Sequence, residues 1–272
     1  MAIGCSELLN VSGEDARADV LDSLAVIVPL YNEATTVTEL LSRLVLQPSV
    51  SEVIVVDDGS TDDSVVRVRD WLAVFQRSCV VNVSLILHEK NRGKGRAIRT
   101  GLEHVTRSHV VIQDADLEYD PADINKLWGL MQSGQVDVVY GSRYLHNSAI
   151  QKGRFVMQFG VRLLNLVVRV LYGVRLTDEA CCYKMFRTAD LRAMHLQCDR
   201  FEFCAEVTAR SLMSELRLQE TNVSYESRRI GKKISWRDGW PALATLVGIR
   251  LSRKRFVTGS NCRGPNPECA QE

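Results

Sequence analysis

The segment Val53–Asp62 (VIVVDDGSTD) decides the fold class, because it joins a short apolar run to a string of acidic and turn-forming residues. Its first part, Val53–Val56, has no polar interruption, which is typical of a strand buried on both faces of a parallel sheet. Similar runs lie at Leu24–Pro29 and Val110–Gln113. Polar residues follow all three runs, so we expect three buried strands with polar loops at their carboxyl ends.

Helical patterns separate these runs. Apolar residues recur at helical spacing from Glu33 to Leu46, and further helices are predicted at 63–76, at 95–105 and after Pro121. Additional strands are predicted at 80–87 and 136–140. This alternation indicates an α/β fold with a mostly parallel central sheet and helices on both faces. Ligands of such sheets bind at the carboxyl ends of the strands, which brings the loops after Val28, Val56 and Gln113 to one site.

The second half of the chain is predicted to be more helical. The expected elements are helices at 155–171, 189–195, 202–213 and 238–251 and a strand near 221–225. Residues 1–22 and 256–272 lack periodicity, so we expect a disordered N-terminal segment and a disordered tail. Residues 23–255 then form one domain, whose helical part covers about 150–255.

The composition is that of a soluble globular protein. The chain has 272 residues, 46% of them hydrophobic and 25% charged, and its net charge of +1 gives no indication of a nucleic-acid partner. None of the eight cysteines forms a C-x-x-C pair, so we expect reduced thiols rather than a zinc or redox centre. The N-terminus lacks the features of a signal peptide, and a cytoplasmic location is predicted.

No segment reaches the roughly 20 apolar residues needed to span a bilayer. The nearest, Phe155–Val174, is interrupted by Arg162 and Arg169, which share one helical face. We favour a mostly buried helix with one wet stripe; the alternative is a helix lying in a membrane interface. Between Arg228 and Arg255 nine basic residues face a single acidic one, so this part should attract anions.

The loops exclude the commonest nucleotide-binding enzymes. Neither G-x-G-x-x-G nor G-x-x-x-x-G-K-[ST] occurs, which argues against a dehydrogenase and a P-loop NTPase. The pair Asp114 and Asp116 by itself is typical of a solvated loop. Acids at three strand ends instead suggest a divalent cation that holds a diphosphate, because hard cations take oxygen ligands.

Five motifs together resemble the family 2 glycosyltransferases of GT-A fold. They are, in order, Val28–Glu33 (VPLYNE), Val55–Asp62 (VVDDGSTD), Lys90–Gly95 (KNRGKG), Asp114–Asp116 (DAD) and Gly141–Tyr144 (GSRY).

Three later motifs are similar to one branch of that family, which contains dolichyl-phosphate mannosyltransferases and bacterial polyprenyl-phosphate glycosyltransferases. They are Leu176–Asp178, Cys182–Arg187 and Gly231–Gly239. Two features depart from this branch: many of its members carry C-terminal membrane helices that this sequence lacks, and Glu118 stands where some mannosyltransferases have Gln.

The resemblance implies a metal-dependent, inverting transfer of a sugar from a nucleotide sugar. GDP-mannose and UDP-glucose are both compatible donors. The residues implied in donor binding are Pro29, Tyr31, Glu33, Val56, Asp58, Lys94, Asp114, Ala115, Asp116 and Arg143. For Asp57 and Asp58, a turn and helix N-cap is the alternative interpretation.

The resemblance also implies a site for Mg²⁺ or Mn²⁺ and a set of catalytic residues. Asp114 and Asp116 would hold the metal, with Glu118 as a third ligand. Asp116, Arg143 and Asp178 are the implied catalytic residues. Asp178 would act as general base toward a neutral hydroxyl acceptor, and the alternative is that it orients an arginine.

A polyprenyl-phosphate acceptor needs cations near its phosphate. The candidates are Arg154, Arg228, Lys232 and Lys233, with Arg229 beside them; a solvated basic face is the alternative. Such an acceptor also predicts peripheral contact with the cytoplasmic face of a membrane. Three other functions stay open: transfer to a saccharide or small-molecule hydroxyl, a catalytically silent nucleotide-sugar-binding module, and a sugar-1-phosphate nucleotidyltransferase, which the missing Gly-rich loop disfavours.

Overall fold

A computed structural model describes residues 23–75, 81–145, 155–227 and 239–252, with the backbone only for 155–158. The segments 1–22 and 256–272, for which we predicted disorder, lie outside the described residues.

The strands mostly follow the apolar runs of the sequence, although the last one lies about three residues before the strand predicted near 221–225. They are β1 (Leu24–Leu30), β2 (Val50–Asp57), β3 (Asn82–Leu87), β4 (His109–Ile112), β5 (Val138–Ser142), β6 (Lys184–Arg187) and β7 (Leu218–Asn222). Sequence reasoning missed β6, because its four residues begin with Lys and end with Arg and therefore show no apolar run.

Eight α-helices occur in the described parts of the chain. They are α1 (Val37–Leu44), α2 (Ser64–Phe75), α3 (Lys94–His104), α4 (Ile124–Gln132), α5 (Phe155–Tyr172), α6 (Thr188–Ala193), α7 (Phe203–Met213) and α8 (Gly239–Leu251), and a 3-10 turn at Pro121–Asp123 precedes α4.

The strands form one sheet in the order β3-β2-β1-β4-β6-β5-β7. Every pair is parallel except those of β6, which runs antiparallel to β4 and β5. The α/β fold with a mostly parallel sheet is thus confirmed.

The strand order reverses between β1 and β4. The chain moves outward from β1 to β2 and β3 and then returns to β4 on the other side of β1. Because such crossovers are right-handed, α3 lies on the opposite face of the sheet from α1 and α2. A reversal of this kind opens a crevice at the carboxyl ends of the two flanking strands, where ligands bind.

The described thiols of Cys181, Cys182, Cys198 and Cys204 are free. Burial raises the pKa of Cys181 to about 12, and the same cause raises the pKa of Cys182. Both thiols therefore stay protonated at neutral pH.

Helix α5 is not the mostly buried helix that we favoured from the sequence. Only one side of it packs, through Val161, Leu164 and Val168, whereas Phe159 is 67% and Val170 72% exposed. The favoured interpretation was wrong because α5 carries apolar residues on two sides but packs against the rest of the protein, mainly against α8, on only one side. None of the described helices is long and apolar enough to cross a bilayer.

A carboxylate at the amino end of β5 ties three strands together. Asp137 accepts hydrogen bonds from the guanidinium of Arg217, before β7, at 2.9 Å, and from Nη1 of Arg187, at the end of β6, at 2.8 Å. The hydrogen bonds from Arg217 hold the pKa of Asp137 well below its usual value.

We therefore expect Asp137→Asn to lower the melting temperature by roughly 5 °C at neutral pH. A carboxylate whose pKa is depressed in the folded state stabilises the protein at pH values above its ordinary pKa of about 3.9. This stabilisation is lost as the pH falls further. The difference between the two proteins should shrink below about pH 4. Thermal denaturation from pH 7 to pH 3 measures it, and a difference that stays constant with pH would contradict the assignment.

Candidate active site

The loops after β1, β2 and β4 meet at the crevice. Thr36 donates a hydrogen bond from Oγ1 to the carbonyl oxygen of Ala115 at 2.8 Å, which joins the loop after β1 to the loop after β4. The main-chain N–H of Glu33 donates to Oγ of Ser64 at 2.8 Å, which joins the loop after β1 to the start of α2. The predicted convergence of these loops is confirmed.

The predicted base- and ribose-binding residues lie at one end of the sheet. Pro29 in β1 stands beside Val56 in β2. Val56 is fully buried between β1 and β3, whereas Pro29 and Tyr31 are half-buried. Glu33 is buried, and its Oε2 lies 3.3 Å from Oγ1 of Thr36. Their donor-binding roles stay predictions.

Asp58 holds a loop rather than presenting its carboxylate to the crevice. It accepts hydrogen bonds from the main-chain N–H groups of Arg92 at 3.0 Å and Gly93 at 2.7 Å, and it pairs with Nδ1 of His88 at 2.7 Å. Neighbouring Asp57 is also buried, but its Oδ1 has no hydrogen-bond partner in the described structure. Because buried polar atoms are normally satisfied, Asp57 is the better-placed of the two to accept a ligand N–H.

Two glycines allow the Lys90–Gly95 loop to pack closely. Gly59 has φ +71°, and a Cβ there would lie 2.5 Å from the carbonyl carbon of Lys90. Gly93 has φ +102°, and its Cβ would lie 2.4 Å from the carbonyl oxygen of Asp199. Only glycine fits both positions without strain, so the loop is fixed on both sides.

This loop delivers Lys94 to the predicted metal-binding aspartates. Its Nζ lies 2.5 Å from Oδ1 of Asp114 and 3.7 Å from Sγ of Cys182. Burial works to lower the pKa of Lys94, but the charge of Asp114 outweighs it and raises that pKa well above the usual value. The ammonium group therefore stays charged beside the Asp114 carboxylate.

The three predicted metal ligands are not assembled into one cluster. Oδ1 of Asp116 accepts the main-chain N–H of Glu118 at 3.1 Å, and Oε2 of Glu118 accepts the hydroxyl of Tyr225 at 2.7 Å. Within 23–75, 81–145, 155–227 and 239–252, no three His, Cys, Asp or Glu side chains are grouped to hold a metal. Asp114 and Asp116, both partly exposed, nevertheless supply the hard oxygens that Mg²⁺ and Mn²⁺ prefer.

Arg143 lies beyond the carboxyl end of β5 and is held by Asp178. Its Nε and Nη2 donate to the two carboxylate oxygens at 2.6 and 2.7 Å, and its main-chain N–H donates at 3.0 Å. Asp178 is fully buried, so it cannot meet an acceptor hydroxyl while it holds the arginine. The structure favours the arginine-orienting interpretation over the general base.

A second carboxylate supports this pair from β7. Glu220 accepts hydrogen bonds from the main-chain N–H groups of Thr177 and Asp178 at 2.8 to 3.0 Å. Its burial raises the pKa of its carboxyl. The position of Arg143 is thus determined through Asp178 by a residue more than seventy positions along the chain.

The predicted acceptor-side cations Arg154, Arg228, Lys232 and Lys233 lie outside the described residues, as does Arg229.

Residues 25–194, more than half of the chain, match the family model described as glycosyl transferase family 2. The chain belongs to this family. The predicted resemblance is therefore confirmed, and the match contains β2 to β6, all of β1 except its first residue, and the loops of the crevice.

Curated relatives of this family 2 chain carry polyprenyl-phosphate names. It is 31% identical, over 182 residues, to an undecaprenyl-phosphate 4-deoxy-4-formamido-L-arabinose transferase of Shewanella sediminis, covering 65% of this chain and 52% of the relative. It is 26% identical, over 212 residues, to a dodecaprenyl-phosphate galacturonate synthase of Rhizobium johnstonii, covering 76% and 60%. The matches thus span little more than half the length of these relatives.

A solved structure shares the fold. Glucosyl-3-phosphoglycerate synthase of Mycobacterium tuberculosis, crystallised with Mn²⁺, UDP and glucosyl-3-phosphoglycerate, superposes with a TM-score of 0.62 at 19% identity. The alignment covers 88% of this chain and 82% of that one. The predicted GT-A fold is confirmed by this likeness.

Sequence reasoning gave no role to His88, Glu220 or Tyr225, which hold the site residues of this family 2 chain from distant parts of the sequence. His88 lies 30 residues from Asp58, and Tyr225 lies 107 residues from Glu118. No local sequence pattern predicts pairs of residues that are so far apart in the chain. The only signal was the position of Tyr225 at the end of a predicted strand.

Lys94→Met tests the cation beside Asp114. We expect the substitution to weaken binding of UDP or GDP in the presence of Mn²⁺ about tenfold, since a charge-assisted hydrogen bond to phosphate is lost. Titration calorimetry measures the affinity. Lys126→Met is the matched control, because Lys126 also lies 2.5 Å from an aspartate, Asp123, but is 55% exposed. Equal nucleotide affinity of Lys94→Met and the parent chain would contradict the assignment.

Proposed function

We propose that this chain is a metal-dependent, inverting glycosyltransferase that moves a sugar from a nucleotide diphosphate sugar to a polyprenyl phosphate. The observation that carries the proposal is the placement of Lys94, Asp114 and Asp116 beside the crevice between β1 and β4. A cation next to two partly exposed carboxylates suits a diphosphate bound together with a divalent metal.

The donor would lie across the carboxyl ends of β1, β2 and β4. Pro29, Tyr31, Glu33 and Val56 lie at or just beyond the carboxyl ends of β1 and β2, where the base and ribose would bind. Asp57, with its unsatisfied Oδ1, would accept a base or ribose hydrogen bond there. Ala115 and the two aspartates flank the diphosphate end, where Lys94 and Arg143 would contact phosphate oxygens.

The residues present fit Mg²⁺ or Mn²⁺. Mg²⁺ is commonly bound through one or two carboxylates plus substrate phosphates rather than by a complete protein cage. Asp114 and Asp116 would supply such carboxylates with Glu118 as the third protein ligand, and the diphosphate would supply the rest. When bound, the metal offsets the charge that develops on the leaving nucleoside diphosphate.

The role of Asp178 favours an acceptor that is already anionic. A neutral hydroxyl needs a general base, and the carboxylate predicted for that role is buried and paired with Arg143. A phosphate oxygen needs no base, only cations that offset its repulsion from the diphosphate. Arg143 would supply one, and Arg154, Arg228, Lys232 and Lys233 are the proposed others.

Nucleotide release tests the proposal. The purified chain is incubated with Mn²⁺ or Mg²⁺ and GDP-mannose, UDP-glucose, UDP-N-acetylglucosamine or UDP-galactose, each with and without a polyprenyl phosphate. Release from one donor that requires the lipid phosphate supports the proposal. Turnover that ignores the lipid would instead indicate a hydroxyl acceptor, and metal-dependent nucleotide binding without any turnover would indicate a silent binding module.

A lipid acceptor also requires contact with a membrane surface, which we propose for the outer sides of α5 and α8. The two helices pack on each other, yet each exposes large apolar side chains. On α5 these are Phe159, Leu166 and Val170, and on α8 they are Trp240, Val247 and Leu251. Arg162 and Arg169 are exposed on α5 and would contact anionic headgroups.

We expect the chain to sediment with vesicles that contain phosphatidylglycerol. Replacing Phe159, Leu166 and Val170 together by Ser should weaken that binding at least about tenfold, because three apolar side chains no longer enter the bilayer. Val66→Ser with Val74→Ser is the control, since both residues are more than half exposed on α2. Equal binding of the triple variant and the control would remove α5 from the proposed contact.

A further inference from the structure

The segment that follows β7 is joined to the end of the predicted metal-binding loop. The main-chain N–H of Glu226 donates to the carbonyl oxygen of Glu118 at 2.8 Å, and Tyr225 forms an isolated antiparallel bridge with Tyr119. The rings of Tyr225 and Tyr119 also lie 5.1 Å apart between centroids. Tyr225 is therefore fixed against this loop by both its main chain and its ring.

The side chain of Tyr225 contacts both Glu118 and Arg143, which are proposed to bind the metal and the diphosphate. Its hydroxyl donates to Oε2 of Glu118 at 2.7 Å, and its ring lies 5.0 Å from Cζ of Arg143. Arg143 is held from its other side by Asp178, and its guanidinium also lies 5.4 Å from the ring of Tyr144. Among these contacts, Tyr225 is the residue that touches a carboxylate of the metal loop and the phosphate-binding arginine together.

We propose that Tyr225 is a positioning residue that sets Glu118 and Arg143 relative to each other, so that metal and diphosphate bind as one unit. The inference rests on the proposed function. The hydroxyl orients the Glu118 carboxylate, and the ring packs against the guanidinium of Arg143. Residues that orient the ligands of a metal commonly change its affinity 10- to 100-fold when they are replaced.

The two contacts can be separated by substitution. Tyr225→Phe removes the hydroxyl and keeps the ring, so Glu118 loses its hydrogen bond while the packing on Arg143 persists. Tyr225→Leu removes both. We expect Mn²⁺ binding in the presence of UDP to weaken about tenfold in Tyr225→Phe and further in Tyr225→Leu, as read from the free Mn²⁺ signal in electron paramagnetic resonance.

A matched control lies at the contact between α5 and α8. The hydroxyl of Tyr172 at the end of α5 donates to the carbonyl oxygen of Leu246 in α8 at 2.6 Å. Tyr172→Phe should therefore leave Mn²⁺ binding unchanged, although it also removes a phenol hydrogen bond. Melting temperatures of all variants establish that each one is folded.

A double-mutant cycle separates positioning from a general structural effect. In a Glu118→Ala background, Tyr225→Phe should change Mn²⁺ affinity by less than about twofold, because the side chain that it orients is gone. Unchanged Mn²⁺ affinity in folded Tyr225→Phe, or equal losses with and without Glu118, would overturn the inference. If the parent chain binds neither Mn²⁺ nor UDP, the proposed function itself fails.

Discussion

Asp116→Asn is expected to lower kcat/KM for sugar transfer at least about 100-fold. The substitution keeps the size of the side chain but removes the charge that would hold Mn²⁺ or Mg²⁺ against the diphosphate, and a metal acting as Lewis acid contributes several kcal/mol to such reactions. Nucleotide release, measured over a range of donor concentrations at saturating metal, gives both kcat and kcat/KM. The effect should appear mainly in kcat, because the charge on the leaving group develops in the transition state.

Asp120→Asn is the control on the same loop. Asp120 is exposed, and its Oδ1 accepts the main-chain N–H of Ala122 at 3.0 Å as an N-cap, a role that Asn also fills. This variant should retain the activity of the parent chain. If Asp116→Asn also retained it, the metal site would not contain Asp116 and the catalytic proposal would lose its main support.

The fold could be predicted from local patterns because most of its strands are buried on both faces. The runs at β1, β2 and β4 are apolar without interruption, and the helices between them carry 3.6-residue periodicity. The antiparallel strand β6 was not predicted because it begins with a charged residue, although that residue is buried. Its Lys184 is fully buried, where Nζ donates to the carbonyl oxygen of Glu179 at 2.7 Å and lies 3.6 Å from the ring centre of Tyr140.

The site was predictable only as far as its chemistry lies in short motifs. The loops with Asp114, Asp116 and Arg143 were located correctly at strand ends. The partners that orient them were not, because Glu220 and Tyr225 reach the site through tertiary packing. The role of Asp58 was not predicted for the same reason. Its carboxylate holds the Lys90–Gly95 loop through tertiary contacts that no sequence spacing encodes.

Asp178→Asn is expected to reduce transfer about 100-fold or more and to lower the free energy of unfolding by about 3 to 5 kcal/mol. The reason for both effects is that Arg143, with its side chain only 10% exposed, loses the carboxylate that neutralises and orients it. Removing one partner of a buried ion pair has a cost of this size because the other charge stays behind. Activity is measured well below the melting temperature of the variant, so that the loss reflects the folded protein.

The two ends of β5 provide the test that separates orientation from stability. Asp137 at the amino end and Asp178 beside the carboxyl end both form carboxylate–guanidinium pairs, but only the second pair faces the crevice. Asp137→Asn should destabilise the protein and leave kcat per folded molecule unchanged, whereas Asp178→Asn should lower both. If Asp178 acts through Arg143, adding Asp178→Asn to Arg143→Gln should reduce kcat by less than about twofold more. A further large loss in that double variant would restore Asp178 as a general base and, with it, a hydroxyl acceptor.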